Sequence, residues 1–281
     1  MPNIRELTFD QLSETIAGLG EKSFRAKQIY DWLWNKSARS FDQMNNVPLV
    51  LRNKLAETFA FTPIVVAHEQ RSSDRTIKYG FKLHDDYLIE GVLIPTASRM
   101  TACVSSQVGC SLSCKFCATG KLDRVRNLNA DEIYDQVAII REQSMEVYNI
   151  PLSNIVYMGM GEPLLNYANV VSSIERITSA NGLGMSPQRI TVSTAGIAKM
   201  INKLGDDEVK FNLALSLHAA NDSKRDKIMP INEHNNLDVL RDALKYFYDK
   251  TGTRVTYEFI VFNNFNDSLK DAQELAEFAK H

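Results

Sequence analysis

The sequence predicts an α/β fold: a mainly parallel sheet with helical crossovers, entered through a helical segment and a short antiparallel meander. Three observations predict it. Up to residue 62 the apolar residues recur at helical spacing; from 64 to 94 they alternate with period two between turn residues; after Pro95, β-branched apolar runs alternate with helical stretches. The expected organisation is a helical accessory domain over 1–62, an antiparallel β extension over 63–97, and the parallel α/β region over 98–281.

Taken in order, Thr8 is placed to N-cap a helix whose apolar side holds Phe9, Leu12, Ile16 and Leu19, with Gly20 to end it. Ser23 opens a second helix with Phe24, Ile29, Trp32 and Leu33 on its buried side, and Pro48 stands at the start of a third. Segments 64–70, 75–83 and 87–94 read as the meander. Strands are expected at 99–105, 153–158, 188–193, 209–217 and 254–262, and helices at 130–147, 167–180, 196–204, 236–249 and 268–280. That makes five β/α units. A closed eight-stranded barrel takes about 250 residues, more than residues 98–281 provide, so a partial barrel or an open doubly wound sheet is expected.

Composition excludes several classes. With 44% hydrophobic and 23% charged residues the 281-residue chain can build a core, and intrinsic disorder is excluded. The first thirty residues carry charges throughout, and no apolar run approaches the roughly 18 residues of a bilayer span, so a soluble, cytoplasmic protein without a membrane partner is expected. The balance of 32 Lys+Arg against 34 Asp+Glu leaves room for a local nucleic-acid footprint, such as Arg99, Lys115, Lys121, Arg124 and Arg126 against the single Asp123. All four cysteines fall between Cys103 and Cys117, which argues against a disulfide framework.

Cys110-Ser-Leu-Ser-Cys114-Lys-Phe116-Cys117, just past the first parallel strand, lets one loop aim three thiolates at a common point. Three soft ligands suit an iron–sulfur cluster. Structural zinc would recruit a fourth ligand; Cys103 is the available thiol, while His68, His84, His218, His234 and His281 form no close-spaced pair. Three protein ligands leave one iron of a 4Fe–4S cluster open to a small molecule. Gly159-Met160-Gly161-Glu162-Pro163 follows the next strand, where α/β folds bind ligands, and Glu162 offers a carboxylate to an ammonium group. Thr191-Val-Ser193-Thr194-Ala-Gly196 and Ser216-Leu217-His218-Ala219 end the third and fourth strands; ligand contact and simple helix capping by Ser193 or Thr194 both remain open for them.

The cysteine motif with its aromatic residue before the last Cys resembles that of the radical S-adenosylmethionine (SAM) enzymes. This likeness implies a partial (β/α)6 barrel, here lacking its last strand, a 4Fe–4S cluster on Cys110, Cys114 and Cys117, and SAM bound at the open iron and cleaved to a 5′-deoxyadenosyl radical. Cys103-Val-Ser-Ser-Gln-Val-Gly-Cys110, the GMGEP loop, TVSTAG and SLHA, together with FRAKQIYDWLW in the helical region, resemble the RlmN/Cfr family over the whole chain. That closer resemblance implies methylation of adenine in 23S rRNA, and in tRNA, at carbon 2 through a methyl-cysteine intermediate, with methylation at carbon 8 the sister specificity. It implies SAM contacts from Gly161, Glu162, Ser193, Ser216, Leu217 and His218, a proton-accepting role for Glu90, and a resolving thiol at Cys103 that ends in a disulfide. An electron donor such as flavodoxin and a monomeric state are implied as well.

The sequence departs from the family in one respect. No cysteine follows Cys117, and the sixth strand with its SAM-contacting Asn is not found before the chain stops at LAEFAKH, so a fragment of a longer enzyme, unable to transfer methyl groups, is expected. The non-enzymatic alternative is a zinc-binding RNA module using all four cysteines. Lys22, Arg25, Lys27, Lys36 and Arg39 of the helical region are expected either to help hold RNA or to form a solvated face.

Overall fold

The computed structural model describes residues 1–280; His281 lies outside them. In the helical region α1 (Phe9–Gly18) starts in a capping box: the Thr8 hydroxyl accepts from the Gln11 N–H while the Gln11 side chain accepts from the Thr8 N–H. It stops at Gly20, where the Glu21 and Gly20 N–H groups return to Ile16 and Ala17 carbonyls. α2 (Phe24–Trp34) begins without help from the Ser23 side chain, since Ser23 is itself helical and makes no capping bond. α3 (Leu49–Thr58) follows Pro48, whose missing N–H costs nothing at a helix start.

The meander is β1 (Val65–Arg71), β2 (Ile77–Lys82) and β3 (Leu88–Pro95), and the first parallel strand is β4 (Met100–Cys103). A two-stranded ribbon, β5 (Gln107–Val108) with β6 (Arg126–Asn127), brackets the cysteine loop. The crossovers then run α4 (Ala130–Tyr148), β7 (Asn154–Tyr157), α5 (Tyr167–Thr178), β8 (Ile190–Thr194), α6 (Ala198–Asp206), β9 (Asn212–Ser216), α7 (Asp222–Ile228), α8 (Leu237–Thr251), β10 (Val255–Glu258) and α9 (Leu269–Phe278). The seven-residue α7 and the β5–β6 ribbon were not expected; both are too short to register as periodicity.

One eight-stranded sheet, ordered β1-β2-β3-β4-β7-β8-β9-β10, holds everything together. The meander is its edge, because β3 pairs antiparallel with β4 and sets Val92 opposite Cys103. From β4 onward all pairings are parallel and sequential. Alternation assigns the faces. Ala102, Ile155, Tyr157, Ile190, Val192, Leu213 and Leu215 are buried in the core on the helix side. Gly91 also faces that side, since a Cβ there would meet Ile140 of α4 at 3.3 Å; its neighbours Glu90 and Val92, and therefore Cys103, face the other way.

The helical region docks on α4. Arg5 is buried with its guanidinium 2.5 Å from Asp135 and 3.3 Å from Asp131, a charge that only such pairing makes tolerable. Trp34 meets Tyr134 edge-on at 5.1 Å between centroids, and the Tyr134 hydroxyl donates to the Trp34 carbonyl. Among the described residues no helix is long and apolar enough to cross a membrane.

Candidate active site

The carboxyl ends of the parallel strands and the cysteine loop enclose a cavity of about 310 Å³. Cys110, Cys114, Cys117, Gly161, Glu162, Ser193, Ser216 and His218 all line it. Its thiol wall is held by the loop's own backbone: the Cys117 N–H donates to the Cys114 carbonyl and the Cys110 N–H to Leu122, while the Lys115 N–H reaches the Ile228 carbonyl at the end of α7. Phe116 packs edge-on against His218 at 4.6 Å and tilted against Phe262 at 5.7 Å, which fixes the loop's tip over β9.

Gly159 and Gly161 serve a close approach between protein segments. A Cβ on Gly159 would stand 2.7 Å from the Ser105 hydroxyl, and one on Gly161, at φ +97°, would stand 2.5 Å from Gln107. This proximity lets the Gln107 side chain accept the Glu162 N–H at 2.8 Å and the Ser105 hydroxyl accept the Met160 N–H at 2.8 Å. Glu162 is buried, with its two carboxylate oxygens accepting from the Leu164 N–H at 3.0 Å and the Ala195 N–H at 2.7 Å. Burial pushes its pKa up to about 6, against the pull of those bonds. Such a carboxylate is positioned and under-solvated, which suits an incoming ammonium partner.

Ser193 and Ser216 touch across adjacent strands, hydroxyl to hydroxyl at 3.2 Å. Ser193 therefore caps no helix, and Thr194 accepts the Gly196 N–H at 3.0 Å while its hydroxyl bonds the Glu162 carboxylate; the side chain of Asn235 receives the Ala198 N–H at the start of α6. His218 sits at φ +54°, accepts the Ile260 N–H on Nδ1 at 3.2 Å, and is kept neutral by burial and the nearby Arg225, which lower its pKa to about 4. Leu217 does not line the cavity: its side chain is fully buried in the core, and only its backbone, through the N–H bond to Glu258, belongs to the site.

Sequence reasoning missed the side chain that sews these pieces together. Arg225, fully buried on α7, donates to the carbonyls of Leu217 (3.1 Å), Ala195 (2.6 Å) and Ser216 (3.3 Å) and to the Asn232 side chain (2.7 Å). Desolvation lowers its pKa to about 10. Glu258 and Ile260 on the cavity wall were missed as well, as was Asn266, which clamps the His218 and Ile260 carbonyls. No spacing rule marks any of them; the only signal for α7 is its cap, Asn221, which accepts the Lys224 N–H.

Cys103 and Glu90 lie outside the cavity, on the same sheet face. Burial raises the Cys103 thiol to about 11, and the Met158 backbone that opposes this shift belongs to a cavity residue. Glu90 is exposed, with its carboxylate 2.5 Å from Lys78; its carbonyl accepts the Ser105 hydroxyl at 2.6 Å. Thus Ser105 ties the strand of Glu90 to the loop of Glu162. All four cysteines are free thiols, so the disulfide implied for Cys103 is not present. Of the expected RNA-facing cations, Arg126 is locked between Asp85 and Glu132, Lys36 pairs with Asp31, and Arg39 pairs with Glu142.

The donor set fits an iron–sulfur cluster. Burial and the neighbouring Cys110, Cys117 and Glu162 charges push the Cys114 thiol up to about 12, and burial raises Cys110 too, so these sulfurs become thiolates only against a strong cation. Among the described residues no three Cys, His, Asp or Glu side chains stand close enough to share one ion, and a cluster does not ask that of them, since each thiolate binds a different iron.

The family model "Ribosomal RNA large subunit methyltransferase N-terminal domain" matches residues 2–61 and the radical SAM superfamily model matches 104–279. A probable dual-specificity RNA methyltransferase RlmN from Cytophaga hutchinsonii is 59% identical over 99% of this chain and 76% of its own length. One of the same description from Christiangramia forsetii is 57% identical over 99% and 79%. The crystal structure of a radical SAM methyltransferase from Sphaerobacter thermophilus superposes with a TM-score of 0.92 at 37% identity, covering 99% of this chain and 82% of that one. A 4Fe–4S cluster and SAM are the cofactors of this superfamily, and the partial barrel with its cysteine loop is its fold. The chain belongs to the RlmN family of radical SAM RNA methyltransferases.

Proposed function

We propose that the chain holds the sites for methylation of adenine carbon 2 in 23S rRNA and in tRNA, with the cavity as SAM site and the adjoining sheet face as base site. The observation that carries this reading is the register of β3 on β4, which turns Glu90 and Cys103 to the face opposite the helices. Antiparallel diagonal neighbours stand about 7–8 Å apart, so one flat base can lie between them. When bound, the cluster and SAM supply the one-electron chemistry that an unactivated, electron-poor ring carbon requires.

The remaining roles fall to the chain's own residues. Glu162 orients the amino end of SAM, and Ser193, Ser216 and the backbone around His218 receive its other polar groups. Glu90, ion-paired to Lys78, takes the ring proton. Cys103, protonated until called on, is the thiol that would attack the sulfur of a methyl-carrying cysteine, forming an S–S bond as the carbon–sulfur bond to the base breaks and the methyl carbon takes a proton. Three thiols are committed to the cluster and one to resolution, so the four cysteines leave none to carry a methyl group.

Anaerobic reconstitution with iron and sulfide, followed by SAM and dithionite, tests this. About four irons and four sulfides per chain and formation of 5′-deoxyadenosine are expected, with no methyladenosine in added 23S rRNA fragments or tRNA. A colourless zinc-loaded chain that leaves SAM intact overturns the SAM reading. Methyladenosine from these 281 residues overturns the count of thiols.

A further inference from the structure

The outer part of the same sheet face carries an aromatic ring in an unusual setting. In β1 the pairing with β2 slips between Val66 and His68, a β-bulge that re-aims the following side chain and sets His68 opposite Gly80. A Cβ on Gly80 would lie 2.1 Å from Cε1, 2.3 Å from Nε2 and 2.6 Å from Nδ1 of the imidazole. Three ring atoms so nearly equidistant place that point over the ring face, not off its edge. The imidazole therefore lies flat on the glycine, which it buries, while His68 itself is exposed. Among the described residues neither ring nitrogen has a hydrogen-bond or ion-pair partner.

Gly80 is in turn paired with Glu90 on β3. His68, Gly80 and Glu90 thus form one row across three strands, with Cys103 on the next strand facing the same way. At the usual strand spacing the imidazole's strand is about 10 Å from that of Glu90. Lys78 and Lys82 alternate with Gly80 on this face, each paired with a carboxylate, Lys78 with Glu90 at 2.5 Å and Lys82 with Asp86 at 2.7 Å.

We propose that His68, seated on Gly80, is a stacking surface for a nucleobase that flanks the target adenine in a single-stranded RNA loop. The proposal rests on the reading that the chain acts on RNA. A ring with one face sealed by backbone and the other open offers what an unstacked base seeks, and RNA-binding sheets use His, Phe, Tyr and Trp in this way. The bulge aims the ring and Gly80 admits it. A base held there leaves its neighbour in the strand free to reach Glu90 and Cys103.

Binding of an RNA hairpin with an adenine-containing loop to the full chain, followed by fluorescence anisotropy across a range of salt, tests the proposal. His68→Ala should weaken binding about tenfold, the scale of one lost stack, with the slope of affinity against salt unchanged because no phosphate contact is lost. His68→Phe should bind like the parent. Gly80→Ala should weaken binding by displacing the ring, and adding it to His68→Ala should cost nothing more. If the parent binds the hairpin and His68→Ala binds equally well, or if His68→Phe fails as badly as Ala, the stacking role is wrong while the RNA reading stands. If the parent binds no RNA, both fall.

Discussion

The two halves of this sheet face are built in opposite ways. Around the cavity, the key polar groups are buried and fixed by hydrogen bonds: Glu162 by two backbone N–H donors, His218 by the Ile260 N–H and the Asn266 side chain, the strand ends by the Arg225 side chain. On the meander half, Glu90 and His68 are exposed, and their placement comes from strand register, a bulge and one glycine. A reactive cofactor needs a fixed, dry pocket, whereas an RNA loop needs a surface it can reach. Ser105 is the joint between the halves, since its hydroxyl bonds both Glu90 and Met160.

The difference predicts where substitutions hurt. The largest effect is expected for Arg225→Met, which removes the guanidinium shared by three carbonyls and Asn232 in the core; about 3 kcal/mol or more should be lost in denaturant unfolding, together with cluster loading. A mild loss there would mean that the cavity wall is held by something else. Glu162→Gln should keep the fold but weaken SAM binding tenfold or more by calorimetry, as expected for losing about 1.5–3 kcal/mol of a charged hydrogen bond.

Glu162 also gives a pH signature. Its folded pKa is raised from 4.5 to about 6, so the fold favours the protonated acid; the contribution of Glu162 to stability is largest below 4.5 and declines as the pH rises to about 6. The decline should amount to about 2 kcal/mol and vanish in Glu162→Gln. SAM binding should run the other way, tightening as the carboxylate ionises through pH 6. Smaller still, Ser105→Ala should cost about 1–2 kcal/mol and loosen the hydrogen-exchange protection of β3 and the Met160 loop together. Lys78→Met, which removes a half-exposed ion pair, should change stability by under about 1 kcal/mol, showing that this half is tuned for contact.

Legibility in the sequence follows the same division. The cysteine loop and the GMGEP turn could be read because three thiols and two glycines sit within a few residues of a strand end, so their chemistry is local. The strands shorten on inspection; 254–262 becomes Val255–Glu258 because Ile260 and Val261 turn outward to the cavity rim and solvent. Arg225 was invisible, since its four acceptors come from three separate segments. Glu90 was assigned only through the family resemblance: alone it reads as an edge-strand surface residue, and it is the pairing of β3 with β4 across the Pro95–Met100 turn that makes its strand interior to the sheet.

The central claim, that Cys103 meets adenine at carbon 2 on the face beside the SAM cavity, is tested most directly by trapping. RNA hairpins carrying 2-fluoroadenosine or 8-bromoadenosine at the target position offer the thiolate a halide to displace at one carbon or the other. The account predicts that mass spectrometry finds the 2-fluoro hairpin joined to Cys103, and not in Cys103→Ser. Attachment of the 8-bromo hairpin instead, or of neither while both bind, would contradict it.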